Sequence, residues 1–418
     1  MKKLVVLIWG TRPEVIKIAP VYLELKRRSD LRILNVMTGQ HRELLRGLIE
    51  LFELESIIDL GIHHKSDLSQ FSAQLIQSLQ EKVFNQFSVD LVYVQGDTTT
   101  AMNAALVAFY NRVPVAHIEA GLRTYDSYSP FPEEMNRQLI SRMARWSFCP
   151  TKGAKENLLK EGYPESQALV TGNTVVDALR RVRKQTLSDR YISEVLPEES
   201  PDLFQLFKDG PLKIASCLKA LVTFHRRESL ASGVHEVFSA IVEIAQKNKD
   251  VHFIFPVHLN PKVAQSATLY FQHIDNVHLL PPLSYRPMIF LFDQVDFALS
   301  DSGGLQEEFP EMQKPLLILR ANTERPEVVH LGLARLIGTH KKNVIFETES
   351  LLTALRKNEA PHWFRQAPNP YGDGLASQRI VECCFPIDLQ ASSLQEPINE
   401  NLLHGLNQDS LNFTVQTL

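Results

Sequence analysis

Short apolar runs, each followed by a polar turn and then a stretch of helical spacing, recur along this chain of 418 residues. The first, Leu4 to Trp9, ends at Gly10, and Ile16, Ala19, Val21, Leu23 and Leu25 then show helical spacing within Glu14 to Lys26. That is a strand, a tight turn and a helix. A second strand is predicted over Leu31 to Met37, before TGQHRELL, and a helix from about Leu68 to Phe87. A strand from Leu91 to Val94 then meets GDTTT and a helix through Tyr110, and Val113 to Ile118 is the next strand. Trp146 to Cys149 and Leu169 to Val170 add two more, with helices from Ala154 and Val176. Strands alternating with helices imply parallel βαβ units whose connecting loops of interest share one edge.

Between Gln185 and Pro211 the period breaks down into Ser, Asp, Glu and Pro, which reads as an insertion near an interdomain connection. A second alternating series follows: Lys213 to Thr223, Val251 to Val257, Val277 to Leu280, Phe297 to Ser300 and Leu316 to Leu319. The length suits two domains. The expected fold class is therefore α/β, with two Rossmann-like lobes facing across a central cleft. Asn369 to Val381 reads as a turn and a short amphipathic helix. Beyond Phe385 the Gln-, Asn- and Ser-rich tail has no strong period and is expected to be mobile or loosely packed.

Composition narrows the function. A net charge of −4, from 44 basic and 48 acidic residues, gives no sign of a polyanionic partner, so nucleic acid is not expected. Cys149, Cys217, Cys383 and Cys384 lack metal spacing, and a reducing cytoplasm is the simplest reading. Lys2 and Lys3 before an apolar run raise a signal peptide, but the run is too short and has no cleavage site, so it reads as a buried strand. No apolar stretch approaches a membrane span.

The candidate chemistry gathers at strand ends. GTRPE has one glycine where a dinucleotide fingerprint has three, and no Walker-type Gly-Lys-Ser/Thr occurs, so a nicotinamide cofactor on this turn is disfavoured. His117 to Arg137, HIEAGLRTYDSYSPFPEEMNR, places Glu119, Arg123, Asp126, Glu133, Glu134 and Arg137 just past a strand. Ligands of open α/β sheets bind at the carboxyl ends of strands, and paired carboxylates there can divide acid and base roles. The bland alternative is a solvated loop of Arg–Glu pairs. Arg12, Lys17 and Asp97 join this rim, Asp97 being equally a candidate helix N-cap.

In the second series, Asp301 to Gly304 (DSGG) starts a helix and exposes N–H groups to which a phosphate fits. Glu308 could accept from ribose hydroxyls, whereas Glu307 reads as a favourable charge near a helix start. His225, Arg226 and Arg227 in TFHRRES suggest an anion site, and His258 in PVHLNP points to the same edge, although a lone histidine is more often an ordinary loop residue.

Taken together, GTRPE, TGQHRE, GDTTT, HIEAGLRT, SPFPEEMNR, TGNTVVDAL, HRRES, PVHLNP, DSGGLQEE, TERPE and NPYGDG resemble, in order, the motifs of the non-hydrolysing UDP-N-acetylglucosamine 2-epimerases. The resemblance covers about Lys3 to Phe385. It implies a GT-B-type fold, with residues 1–172 forming an N-terminal domain that carries the catalytic carboxylates and 173–366 a UDP-binding domain. Residues 367–385 would return as a helix to the first domain, with 386–418 an extra tail. It further implies a cytoplasmic homodimer with no cofactor and no metal, acting on UDP-N-acetylglucosamine.

The implied reaction interconverts that sugar and UDP-N-acetylmannosamine by eliminating UDP to 2-acetamidoglucal and re-adding it, supplying cell-surface polysaccharide. Asp97, Glu119, Glu133 and His225 resemble the catalytic residues; Arg12, Lys17, His258, Ser302, Gly303, Gly304 and Glu308 resemble substrate and UDP contacts. Gln40 and Glu43 match parts of a second, activating substrate site, but the region from His63 to Leu68, where relatives place an arginine of that site, looks one residue short. Ala231 and Gln313 replace usual glycines, which is expected to stiffen or displace loops near UDP. The alternatives are a GT-B glycosyltransferase or a catalytically silent nucleotide-sugar-binding protein.

Overall fold

The structure is a computed structural model that describes residues 2–39, 42–62, 67–213, 217–224, 233–257 and 260–386, the side chains at 42–44 and 262 excepted. The first sheet holds β1 (Lys3–Trp9), β2 (Leu31–Met37), β3 (Ile57–Asp59), β4 (Leu91–Gln95), β5 (Val115–Ile118), β6 (Trp146–Cys149) and β7 (Ala168–Val170). The second holds β8 (Leu218–Thr223), β9 (Val251–Pro256), β10 (Val277–Leu280), β11 (Phe297–Ser300), β12 (Leu316–Ile318) and β13 (Ala334–Leu336). Their orders are β3-β2-β1-β4-β5-β6-β7 and β10-β9-β8-β11-β12-β13. Every pairing is parallel, the longest running from Lys3 opposite Leu31 to Trp9 opposite Met37. Helices cover both faces, so the strands are buried on both sides and read as continuous apolar runs: Leu4 to Trp9 is buried throughout.

The expected strands are present within a few residues of their predicted ends, apart from Lys213 to Thr223, which begins only at Leu218. Two strands escape the reading, β3 and β13. Each has only three residues and lies at a sheet edge, too short for a period to show. The helix expected from Leu68 to Phe87 is α-helical only to Leu79 and widens into a π-turn over Gln80–Phe84. Gln185 to Pro211, expected to be irregular, contains helices Leu196–Glu199 and Pro201–Lys208. Proline there occupies first-turn positions, where its missing N–H costs nothing. Leu196, Leu203 and Leu212 are buried, and Phe207 meets Phe290 edge to face at 5.8 Å.

Near the end of the chain, Ala376–Cys384 packs against Arg12–Lys26 and Thr174–Thr186 of the first half. Arg28 donates to the Phe385 carbonyl at 2.7 Å. The crossing segment approaches closely: the Asn173 N–H donates to the Tyr371 carbonyl at 2.6 Å, and a Cβ on Gly172 would lie 3.1 Å from that oxygen, with φ at +89°. Only glycine meets both demands comfortably. Gln313 adopts a left-handed φ of +53°, the conformation a glycine would favour, and its side chain donates to the carbonyls of Pro310 (2.8 Å) and Ala367 (2.9 Å). Here the chain keeps the turn and adds two hydrogen bonds. Ala231 and the tail from residue 387 lie outside the described residues. Among the described residues no helix is long and apolar enough to cross a membrane.

Asp177 caps the returning helix, accepting from the Ser377 N–H (2.8 Å) and hydroxyl (2.5 Å) and from the Ala376 N–H (3.3 Å). Asp177→Ala strips these buried donors of their partner, and should destabilise the fold by about 1–3 kcal/mol. Urea unfolding of the two proteins measures this, and an unchanged midpoint would show that the cap is dispensable.

Candidate functional site

Three adjacent central strands, β1, β4 and β5, deliver Arg12, Asp97 and Glu119 at their carboxyl ends. A buried carboxylate ties the first two turns together. Glu14 accepts from the N–H groups of Gly10 (3.1 Å) and Thr11 (2.7 Å) and from the hydroxyls of Thr11 (2.7 Å) and Thr98 (2.6 Å). Thr98, not Asp97, caps the helix Thr99–Tyr110, accepting from Ala101 at 3.0 Å. Asp97 is thereby free of the capping role and pairs with Arg137. His117 Nε2 meets the Gly96 carbonyl at 2.7 Å, and burial lowers its pKa to about 4, so a neutral ring pins the GDTTT turn to β5.

The stretch past β5 divides into chemical and structural parts. Glu119 has φ of +65°, a costly conformation for a residue with a side chain. Gly121 follows at +87°, where a Cβ would fall 2.2 Å from the Ala154 carbonyl. Arg123 forks onto Glu161 at 2.6 and 3.0 Å, so for it the Arg–Glu pair is the right reading. Glu134 is spent on the loop, accepting from the N–H groups of Thr124 (3.0 Å) and Tyr125 (3.2 Å) and from Gln138 (2.8 Å). Glu133 is half-buried at the start of the helix Glu133–Met143, one turn before Arg137, the partner of Asp97.

From the second lobe, β11 leads into Ser302 and the short helix Gly303–Glu308, and Thr223 and Ser300 of neighbouring strands share a hydrogen bond of 2.6 Å. Glu307 overturns its sequence reading. It is buried, not a surface charge at a helix start, and pairs with Lys17 at 2.9 Å and Arg325 at 2.7 Å. Lys17 also pairs with Glu119, which accepts from Gln95 at 2.7 Å. Beyond Arg325 the alternation continues through Glu324 (2.7 Å) to Arg320 (2.8 Å). Burial works against the charge on Lys17, but Glu119 and Glu307 outweigh it and its pKa rises. Burial, with Glu307 nearby, raises Glu119, whereas Arg325 and Lys17 overcome burial at Glu307 and hold it low.

A second crossing point joins Arg12 to the Leu283 carbonyl at 3.2 Å. Glu308 accepts from the Tyr285 hydroxyl at 2.8 Å, and burial raises its pKa to about 7.

The structure thus brings Arg12, Lys17, Asp97 and Glu119 to adjacent strand ends of the first lobe and Ser302, Gly303, Gly304 and Glu308 to a strand end of the second, with Glu133 at the start of its own helix. Sequence reasoning missed Gln95, Glu307 and Arg325 as members; the Arg in TERPE was the available signal, since a lone arginine between two glutamates suggests pairing. His225, Arg226, Arg227, His258 and Gln40 lie outside the described residues, as does the Glu43 side chain. Among the described residues no cluster of three or more His, Cys, Asp or Glu could hold a metal ion.

Residues 23–384 match the family described as UDP-N-acetylglucosamine 2-epimerase. A relative from Yersinia pestis with that name is 41% identical over 381 residues, covering 90% of this chain and 97% of its own. One from Neisseria meningitidis serogroup A is 40% identical over 379 residues, covering 90% and 98%. The solved structure of a Neisseria meningitidis 2-epimerase bound to UDP-GlcNAc superimposes with a TM-score of 0.82 at 39% identity, over 91% of this chain and 99% of that one. A Methanocaldococcus jannaschii 2-epimerase in complex with UDP-GlcNAc and UDP gives 0.72 at 30% identity, over 91% and 99%.

Glu308 makes stability depend on pH. Its folded pKa lies above the ordinary 4.5, at about 7, so its contribution is full below 4.5 and is lost as pH rises through 7, up to about 3 kcal/mol in all. Wild-type stability in urea should therefore fall more steeply between pH 5 and 8 than that of Glu308→Gln, which cannot titrate. Parallel pH profiles would remove Glu308 from this role.

Proposed function

The chain belongs to the UDP-N-acetylglucosamine 2-epimerase family, and on that premise we propose how its cleft inverts C2 of the sugar. The observation that carries the reading is the line of Arg12, Asp97 and Glu119 on adjacent strand ends facing the Ser302–Glu308 segment. The C2 hydrogen of UDP-N-acetylglucosamine adjoins no carbonyl and is not acidic. Breaking the C1–oxygen bond first releases UDP and leaves an oxocarbenium-like centre; loss of the C2 proton then gives 2-acetamidoglucal. Returning a proton to the opposite face of C2 and re-forming the C1–oxygen bond yields UDP-N-acetylmannosamine, with no net redox change.

Proton traffic on two faces needs more than one acid or base. Asp97, Glu119 and Glu133 are the carboxylates for it, with His225 beside the diphosphate. Their partners differ: Glu119 shares Lys17, whereas Asp97 faces Arg137. Arg12, Lys17, His258 and the Ser302-Gly303-Gly304 turn hold UDP, with Glu308 at the ribose. Reading the chain as a glycosyltransferase is less economical, because the relatives share an epimerase name and a transferase would need an acceptor groove as well. The product would feed N-acetylmannosamine-derived units to cell-surface polysaccharide, from a cytoplasm in which four free cysteines stay reduced.

The active form is a homodimer. Tyr128 (81% exposed), Phe131, Met135 and Leu139 present apolar surface on and before the helix Glu133–Met143, with Tyr128 stacked on Phe131 at 6.2 Å. Phe109 and Tyr110 add to it from the neighbouring helix Thr99–Tyr110. Surface of this kind is what a self-associating interface buries.

Two outcomes test these statements. Glu119→Gln and Glu133→Gln should each lower turnover by about 10²–10⁴ while leaving UDP affinity within a few-fold, and wild-type turnover in D₂O should place deuterium at C2 by proton NMR. Rates within a few-fold of wild type in both variants would move the acid/base assignment elsewhere. Light scattering should find a dimer that Leu139→Glu converts to monomer; an unchanged mass would place the interface on another face.

A further inference from the structure

The ladder Glu119–Lys17–Glu307–Arg325 crosses from one lobe to the other at a single bond, between Lys17 and Glu307. All four side chains are nearly sealed from solvent, at 10% exposure or less. In such surroundings each charge is governed by its immediate neighbours. Among the described residues, the groups around Glu119 are Lys17 from the helix Arg12–Lys26, the neutral Gln95 from β4, Glu307 from the helix Gly303–Glu308, and Arg325 just before the helix Pro326–His330. Of the three charges, Glu307 and Arg325 pair with each other. The ammonium of Lys17 is the one that Glu119 must share.

Resting on the epimerase reading, we propose that Glu307 is a positioning residue for the proton transfers. It draws Lys17 partly away from Glu119 when the lobes meet, so that Glu119 takes up a proton on closure and returns it on opening. The geometry makes this conditional on closure. Parting the lobes would leave Lys17 to Glu119 alone and admit water, and both changes favour the carboxylate. Closing them removes water and brings a second carboxylate to the same ammonium, and both favour the acid. The raised pKa of Glu119 and the lowered pKa of Glu307 agree in direction. Glu307 itself cannot take the proton readily, because Arg325 holds it from the other side. A group whose proton affinity rises with closure suits an acid/base that must carry a proton near neutral pH and be reset after each turnover.

The test is proton uptake on UDP binding. Isothermal titration calorimetry with UDP near pH 6, in two buffers of different ionisation enthalpy, should give wild type a larger uptake than Glu119→Gln, with Glu307→Gln reduced toward the latter. In turnover, Glu307→Gln should shift the limb of the kcat–pH profile that belongs to Glu119 to lower pH by about half a unit or more, with KM within a few-fold. Glu307→Asp, which keeps the charge, should retain the wild-type limb.

Equal proton uptake in wild type and Glu119→Gln overturns the proposal, even if Glu307→Gln does not fold. A uniform loss of kcat with an unmoved limb overturns it as well, since a merely structural residue would behave that way. Failure of the epimerase reading is separately visible: wild type would then leave C2 undeuterated in D₂O whatever its proton uptake.

Discussion

A single buried ammonium shared by carboxylates from two lobes is the interaction on which the site depends. Removing Lys17 would leave Glu119 and Glu307 facing each other in a medium that screens poorly. Its position follows from the first turn of the chain. Gly10 ends β1, Thr11 and Glu14 form a reciprocal cap, and the helix that begins at Arg12 places Lys17 on the buried side toward the second lobe. Arg12, at the head of the same helix, reaches the Leu283 carbonyl. One helix start therefore supplies two of the polar contacts between the lobes among the described residues.

The same economy governs the acidic loop. Of the charges clustered after β5, Arg123 and Glu134 are consumed in holding the loop, while Glu119 pairs with Lys17. Glu119 sits in a strained left-handed conformation, secured by the close passage of Gly121 over Ala154. Strain of this kind persists only where surrounding contacts over-determine it. Glu14 and His117 perform the corresponding service for the Asp97 turn, each buried and each hydrogen-bonded to backbone or to Thr98.

Behind the cleft the lobes are bound covalently and by packing. At Asn173 and Tyr371 two segments touch backbone to backbone, and the last described helix packs on Arg12–Lys26 under the cap of Asp177. Thr151 and Tyr371 both donate to Glu327, at 2.7 and 3.3 Å, which adds a polar seam on that side.

The apolar runs by themselves determined the two parallel sheets, because strands buried on both faces have no polar alternation to disguise them. Turn chemistry marked the strand ends, so Arg12, Asp97, Glu119 and the DSGG turn were legible as a candidate site from the sequence alone. Edge strands β3 and β13 were not, since three residues carry no period. Nor were the helices between Gln185 and Pro211, whose prolines looked like breakers until their first-turn positions were seen. The partners of Glu307 could not be read at all. A glutamate after a helix start looks the same whether it meets water or a lysine from a lobe some 290 residues away in sequence (Lys17 to Glu307). Only the tertiary structure, which removes solvent and sets charges against one another, decided which buried carboxylates meet which cations.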